Sequence, residues 1–179
     1  MAIGALETKF HEYLIETHAL EKKVRRQLDS LIAATEDARM EAALRHHRSE
    51  TDRHLARLEE RLEDHGEEPS DLKDAGAQFA ALFKAMGNLV ADDKPAKHTV
   101  DAYVTEHVEI AAYQLLEHMA RHAGDQKTVE VAQKNRAEEE AMARTIGANW
   151  GRAVEQVLAE DGLLAQSQAK RSAATAARH

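Results

Sequence analysis

At four places in this chain a glutamate or histidine stands where helical spacing calls for an apolar residue. Phe10, Leu14, Thr17, Glu21, Val24, Leu28 and Ile32 advance by three and four, which turns one helix face toward a core with Glu21 at its middle. A second stripe reads Met40, Leu44, His47, Thr51, Leu55, Leu58, Leu62. A third reads Val100, Tyr103, Val104, His107, Ile110, Ala111, Gln114, Leu115, and a fourth Ala132, Asn135, Glu139, Met142, Ile146, Trp150. A carboxylate buried without a partner is costly, so each intrusion demands a counter-charge, a hydrogen-bonding partner or a metal ion.

The intrusions can meet. In an antiparallel hairpin, residues equidistant from the turn share a height, at about 1.5 Å per residue. A turn near Ala34 sets Glu21 level with His47 and within about one turn of Glu50 and His54. A turn near Gly124 sets Glu139 level with Glu109 and within about one turn of Glu106 and His107. His47, Glu50 and His54 follow steps of three and four along one ridge. His107 is central to the third stripe, Glu106 lies on its flank and Glu109 points away, so Glu106 and His107 are preferred as site residues. Carboxylate oxygen with imidazole nitrogen suits iron, manganese or zinc. Two metals bridged by a glutamate can cycle oxidation state, which makes iron or manganese the expected ion.

Taken singly, each residue also has a structural reading. Glu21 could pair with Arg25 or an arginine of another helix, and His47 and His107 could be satisfied core histidines. Thr51, Gln114 and Asn135 read as interhelical hydrogen-bonding residues that set register, and Tyr103 and Tyr113 as packing residues.

The elements that must position these groups are helices. Alanine, leucine, glutamate, arginine and lysine dominate, proline, glycine and aromatics are scarce, and the fold class is all-α. The expected segments are helix A from about residue 3 to 33, helix B capped by Thr35 and stopped by Gly66, helix C from the Asp92 to Pro95 boundary to about His122, and helix D from an Asp125 cap to about Glu160. Between B and C, residues 71 to 90 carry apolar residues at helical spacing, read as a short extra helix in a long crossover. Two antiparallel hairpins joined by a long crossover make a ferritin-like four-helix bundle over residues 1–162. Residues 163–179 are Ala-rich without an apolar face, a disordered tail.

Composition limits the function. The net charge is -8, which argues against nucleic acid as a partner. There is no cysteine, so disulfides, thiolate ligands and thiol catalysis are excluded. No stretch is apolar enough to cross a bilayer and no basic leader precedes an apolar run, so the expectation is a cytoplasmic protein without membrane contact.

The segments Ala19-Leu-Glu21-Lys22, Glu50-Thr-Asp-Arg-His54-Leu-Ala-Arg-Leu-Glu59, Glu106-His-Val-Glu-Ile-Ala-Ala-Tyr113 and Glu138-Glu-Glu140 together resemble the YciE/YciF-like family over roughly residues 6 to 146, the third being the most specific. The resemblance implies a ferritin-like bundle related to rubrerythrin-type di-iron proteins, often a homodimer, associated with bacterial stress and labelled ferroxidase-like. It implies Glu21, Glu50, His54, Glu106 and Glu139 as ligands, and iron with dioxygen or peroxide as the chemistry. Two positions depart from the general di-iron pattern. His54 follows Glu50 by four residues instead of three, and Met142 stands three after Glu139 where a histidine is usual.

Overall fold

In this computed structural model, residues 4–67 and 94–176 are described. Their helices are α1 (Ala5–Ala34), α2 (Ala38–Asp64), α3 (Lys94–Ala123), α4 (Gln126–Gly147), α5 (Trp150–Glu160) and α6 (Leu164–Ala176). The first four form the bundle. Hairpin α1/α2 lies against hairpin α3/α4, with α1 on α3 and α2 on α4. The expected crossover helix falls outside the described residues.

The hairpin turns are set by local chemistry. Asp37, not Thr35, caps α2: its carboxylate accepts from the backbone N–H groups of Arg39 and Met40, while Thr35 ends α1 and turns its hydroxyl back to the Leu31 carbonyl. An aspartate here also meets Arg152 Nη2 at 2.5 Å, which threonine could not do. Gly124 takes a φ of 76°, the left-handed conformation that closes a helix, and Asp125 then caps α4 by accepting from Thr128 N. The Asp125 carboxylate also accepts from Arg61 Nη2 (2.9 Å) and His65 Nε2 (2.7 Å), so one side chain joins the end of α2 to the start of α4.

Three of the four expected stripes face the core. Phe10 to Leu28 on α1, Leu44 to Leu62 on α2 and Ala132 to Ile146 on α4 are buried as spaced. On α3 the buried side is instead Ala102, Thr105, Glu106, Glu109, Ala112, Tyr113, Leu116 and Ala120, with His107 and Gln114 exposed and Leu115 52% exposed. This helix is packed on α1, α4 and α5 at once, so an arc wider than one stripe is covered and apolar content does not single out the innermost side.

Helix D also differs from expectation. It stops at Gly147, where an added Cβ would lie 3.4 Å from the Tyr103 ring, and Asn149 Nδ2 donates to the Thr145 carbonyl at 2.6 Å. The chain re-enters a helix as α5, which packs on α3 and roofs a cavity of about 240 Å³ floored by Leu44, Ala102 and Ile146. Beyond Gly162 the residues read as a tail take helical backbone as α6, without a buried residue among those described, as alanine-rich sequence favours.

Inside the bundle the core is split. One apolar cluster gathers Phe10, Leu14, Leu58, Leu62, Leu116 and Val129; the other gathers Leu20, Val24, Leu28, Leu44, Met142 and Ile146. Between these plugs lies a polar layer.

Candidate metal centre

Four carboxylates and two imidazoles fill that layer: Glu21 from α1, His47 and His54 from α2, Glu106 and Glu109 from α3, and Glu139 from α4. Each is 1% exposed or less. They fall into two donor groups, His47/Glu106/Glu109/Glu139 and Glu21/His54/Glu139, each with ligand atoms within 4.8 Å of one another. Glu139 belongs to both.

The imidazoles are held from behind. His47 Nε2 faces Glu106 Oε2 and Glu139 Oε2, each at 3.3 Å, while its Nδ1 lies 3.3 Å from Glu50 Oε2. His54 Nδ1 faces Glu21 Oε1 (3.2 Å) and Glu139 Oε1 (2.8 Å), while its Nε2 bonds Glu138 Oε2 at 2.7 Å. A histidine whose outer nitrogen is tied to a carboxylate has its inner nitrogen oriented and made more basic, the arrangement found around metal-ligating histidines. Arg57 in turn fixes Glu138 at 3.0 Å, and its Nη1 donates to Asn135 Oδ1 at 2.6 Å.

The carboxylates are not satisfied by the protein. Among the described residues, the buried side-chain polar atoms without a hydrogen bond are Glu21 Oε2, His47 Nε2, Glu106 Oε2, both oxygens of Glu109, both of Glu139, and, outside this layer, only His18 Nδ1. Orphaned acceptors concentrated in one buried layer fit a cation of higher charge than a proton.

Protons stand in for it in the protein alone. Burial pushes the Glu106 and Glu109 carboxyls well above the usual range, and the neighbouring Glu139 charge adds to the shift. Burial likewise raises Glu21, against the pull of His54. Burial would raise Glu139 too, but His47 and His54 outweigh it and hold its carboxyl down at about 2. His54 is raised to about 10 because Glu139 and Glu21 overcome its desolvation, and His47 is raised by Glu139 in the same way. A divalent ion entering here would displace protons.

Of the expected site residues, Glu21, His47, His54, Glu106 and Glu139 converge. Glu50 does not join the carboxylate group: it lies at the edge of the inward face, its side chain 16% exposed, and spends its oxygens on His46 and His47. His107 points outward, its Nδ1 bonded to Tyr103 O on its own helix at 2.8 Å and its ring against Tyr103. Glu109, read as outward from sequence, is fully buried in the layer. Its level with Glu139 is the sequence signal for it, and the apolar periodicity of α3 points to the opposite face. Glu138, Tyr113 and Asn135 were not read as site residues. Tyr113 donates its buried hydroxyl to Glu21 Oε1 and accepts from Asn135 Nδ2 at 2.9 Å.

A family described as a domain of unknown function, DUF892, matches residues 5–159. The chain belongs to the DUF892 family. Its fold is that of the E. coli stress protein YciF, with 22% of residues identical, 86% of this chain and 99% of that one covered, and a TM-score of 0.71. A Xanthomonas campestris protein matches at 22% identity over 89% of this chain and 100% of its own, with a TM-score of 0.74. YcfI of Rhodopseudomonas palustris matches at 22% over 81% and 94%, with a TM-score of 0.66. The likeness to YciF that the sequence segments carry is therefore matched by family and by fold. With Met142 on α4, both imidazoles of the layer come from α2, seven residues apart. No helix among the described residues is long and apolar enough to cross a membrane.

Proposed function

We propose that this protein is a two-metal carboxylate protein that binds iron or manganese within the bundle and oxidises ferrous iron with dioxygen or peroxide. The observation that carries the reading is the layer of orphaned buried acceptors between two apolar plugs, with each imidazole braced by an outer carboxylate. His47, Glu106, Glu109 and Glu139 would hold one ion, and Glu21, His54 and the shared Glu139 the other. Bound metal supplies one-electron oxidation steps at neutral pH. Two ferrous ions as substrate each give up one electron; peroxide accepts both, its O–O bond breaks, and with two protons it leaves as two waters. The residues contribute position and proton release: Glu106 and Glu109 surrender protons as an ion enters, Glu50 and Glu138 keep the imidazoles aimed, and the leucine-rich plugs exclude bulk water.

A setting goes with this reading: a cytoplasmic homodimer serving a stress response, with residues 1–162 as its domain and 163–179 as a tail. The outward apolar residues Leu115, Trp150 and Val154 support pairing with a second copy. The test is metal content by mass spectrometry on protein grown with iron and manganese and purified without a metal-affinity tag, beside a Glu21→Ala/Glu139→Ala variant. Near-stoichiometric metal that the variant lacks is expected; an empty protein that also refuses ferrous iron under anaerobic conditions rejects it.

A second reading rests on the pairing of Glu139 with His47 and His54, which compensates charge without any metal. The protein would then be a metal-free helical interaction protein in the stress response. It requires that chelation leave the melting temperature unchanged, whereas loss of a bound ion lowers it by mass action.

A further inference from the structure

The two donor groups are in different states. In the group built on His47, the facing atoms His47 Nε2, Glu106 Oε2, both oxygens of Glu109 and both of Glu139 carry no hydrogen bond. In the group built on His54, Glu21 Oε1 is already taken: it accepts from the Tyr113 hydroxyl and from His54 Nδ1 at 3.2 Å, leaving Oε2 alone free. An ion entering the first group takes the place of the His47 contacts with Glu106 and Glu139, at 3.3 Å each, and meets no tyrosine hydroxyl on its carboxylates. An ion entering the second must dislodge His54 from Glu21 and bind a carboxylate whose charge Tyr113 has partly neutralised.

The tyrosine cannot swing away. It is 1% exposed, its oxygen accepts from Asn135 Nδ2, and Asn135 is gripped by Arg57. Arg57 also grips Glu138, which holds His54 Nε2. One arginine at the bundle surface thus sets both Glu21, through Asn135 and Tyr113, and His54, through Glu138. Among the described residues nothing restrains Glu109 in this manner.

We propose that Tyr113, locked by Asn135, is a positioning residue that competes with a divalent ion for Glu21, so that the Glu21/His54/Glu139 group binds its ion weakly and exchangeably beside a tightly held one. The inference rests on the two-metal reading above and assigns the exchangeable position to ferrous iron as substrate. A hydrogen bond to an ionised carboxylate is of the stronger kind, so removing it should tighten the second ion about tenfold.

The experiment is a titration of the intact protein with Mn(II), following the electron paramagnetic resonance signal of the free ion. The natural protein should take up one ion tightly and a second about tenfold or more weaker. Tyr113→Phe should tighten the second step about tenfold and leave the first in place, and Asn135→Ala should move it in the same direction by less, which keeps the test alive if the Phe variant folds poorly. His54→Gln should abolish the second step alone. If Tyr113 served packing only, its substitution would lower the melting temperature and leave the ratio of the two steps where it was, which overturns the proposal. Two equivalent ions in the natural protein would overturn it while leaving the two-metal reading standing; no uptake at all would sink both.

Discussion

Replacing Glu109 by leucine should stabilise the metal-free protein and weaken the metal-loaded one. Both Glu109 oxygens are buried without a hydrogen bond, and burial with the neighbouring Glu139 charge keeps the carboxyl protonated well above its usual range. An unsatisfied buried polar group costs about 1–3 kcal/mol, and leucine of similar volume removes that cost. In a chain of this length each kcal/mol moves the melting temperature by about 2–4 °C, so the gain should be about 2–12 °C. With metal present the order changes. An ion at one hundred times its dissociation constant stabilises the folded state by about 2.7 kcal/mol, and the variant forfeits part of that by losing a ligand. The assay is thermal denaturation followed by circular dichroism, in chelator and in excess Mn(II). A variant that melts below the natural protein in chelator, or that gains as much from Mn(II), would show that Glu109 serves the fold and not an ion.

Chelator-treated protein should lose stability as pH rises from about 6.5 toward 10. His54 titrates near 6.5 when unfolded and at about 10 when folded, so its contribution is whole below the first value and gone above the second. The raised carboxyls of Glu106 and Glu109 act in the same direction, whereas Glu139, held at about 2, loses its contribution only in strong acid. Urea midpoints across that range should fall; a flat or rising series contradicts the assignment. His107→Ala should keep full metal content by mass spectrometry while His47→Ala loses an ion, because only His47 faces the carboxylates. Asp125→Ala should cost roughly 2–4 kcal/mol in urea unfolding, since it removes an N-cap together with one of the two carboxylates that pair with buried Arg61, and Asp125→Asn should recover the cap share. If the two Asp125 variants unfold alike, the cap contributes nothing measurable.

The bundle was legible because hydrophobic periodicity is a strong signal wherever a helix buries a single stripe, as α1, α2 and α4 do. It failed on α3, which is covered on several sides and wears tyrosine, valine and leucine on its outward arc. That one rotation accounts for preferring His107 over Glu109. Register was legible in part: counting from Gly124 sets Glu139 level with Glu109, and the structure groups them. Counting from Ala34 set Glu21 beside His47, but the first hairpin turns later, at the Asp37 cap, so Glu21 meets His54 two turns further along α2. The role of Glu138 depends on a contact across helices to His54, which no spacing within α4 announces.

The ion pair between Arg152 and Asp37 has a bearing on how the molecule comes apart. Asp37 starts α2 and Arg152 lies in the first turn of α5, so the last part of one hairpin's chain grips the hinge of the other. At the opposite end Asp125 does the reverse, with the start of α4 gripping the end of α2. Each hairpin is therefore pinned by its neighbour at both extremities. Neither should fray independently, and the slowest-exchanging amides of all four bundle helices should open together in a single cooperative event.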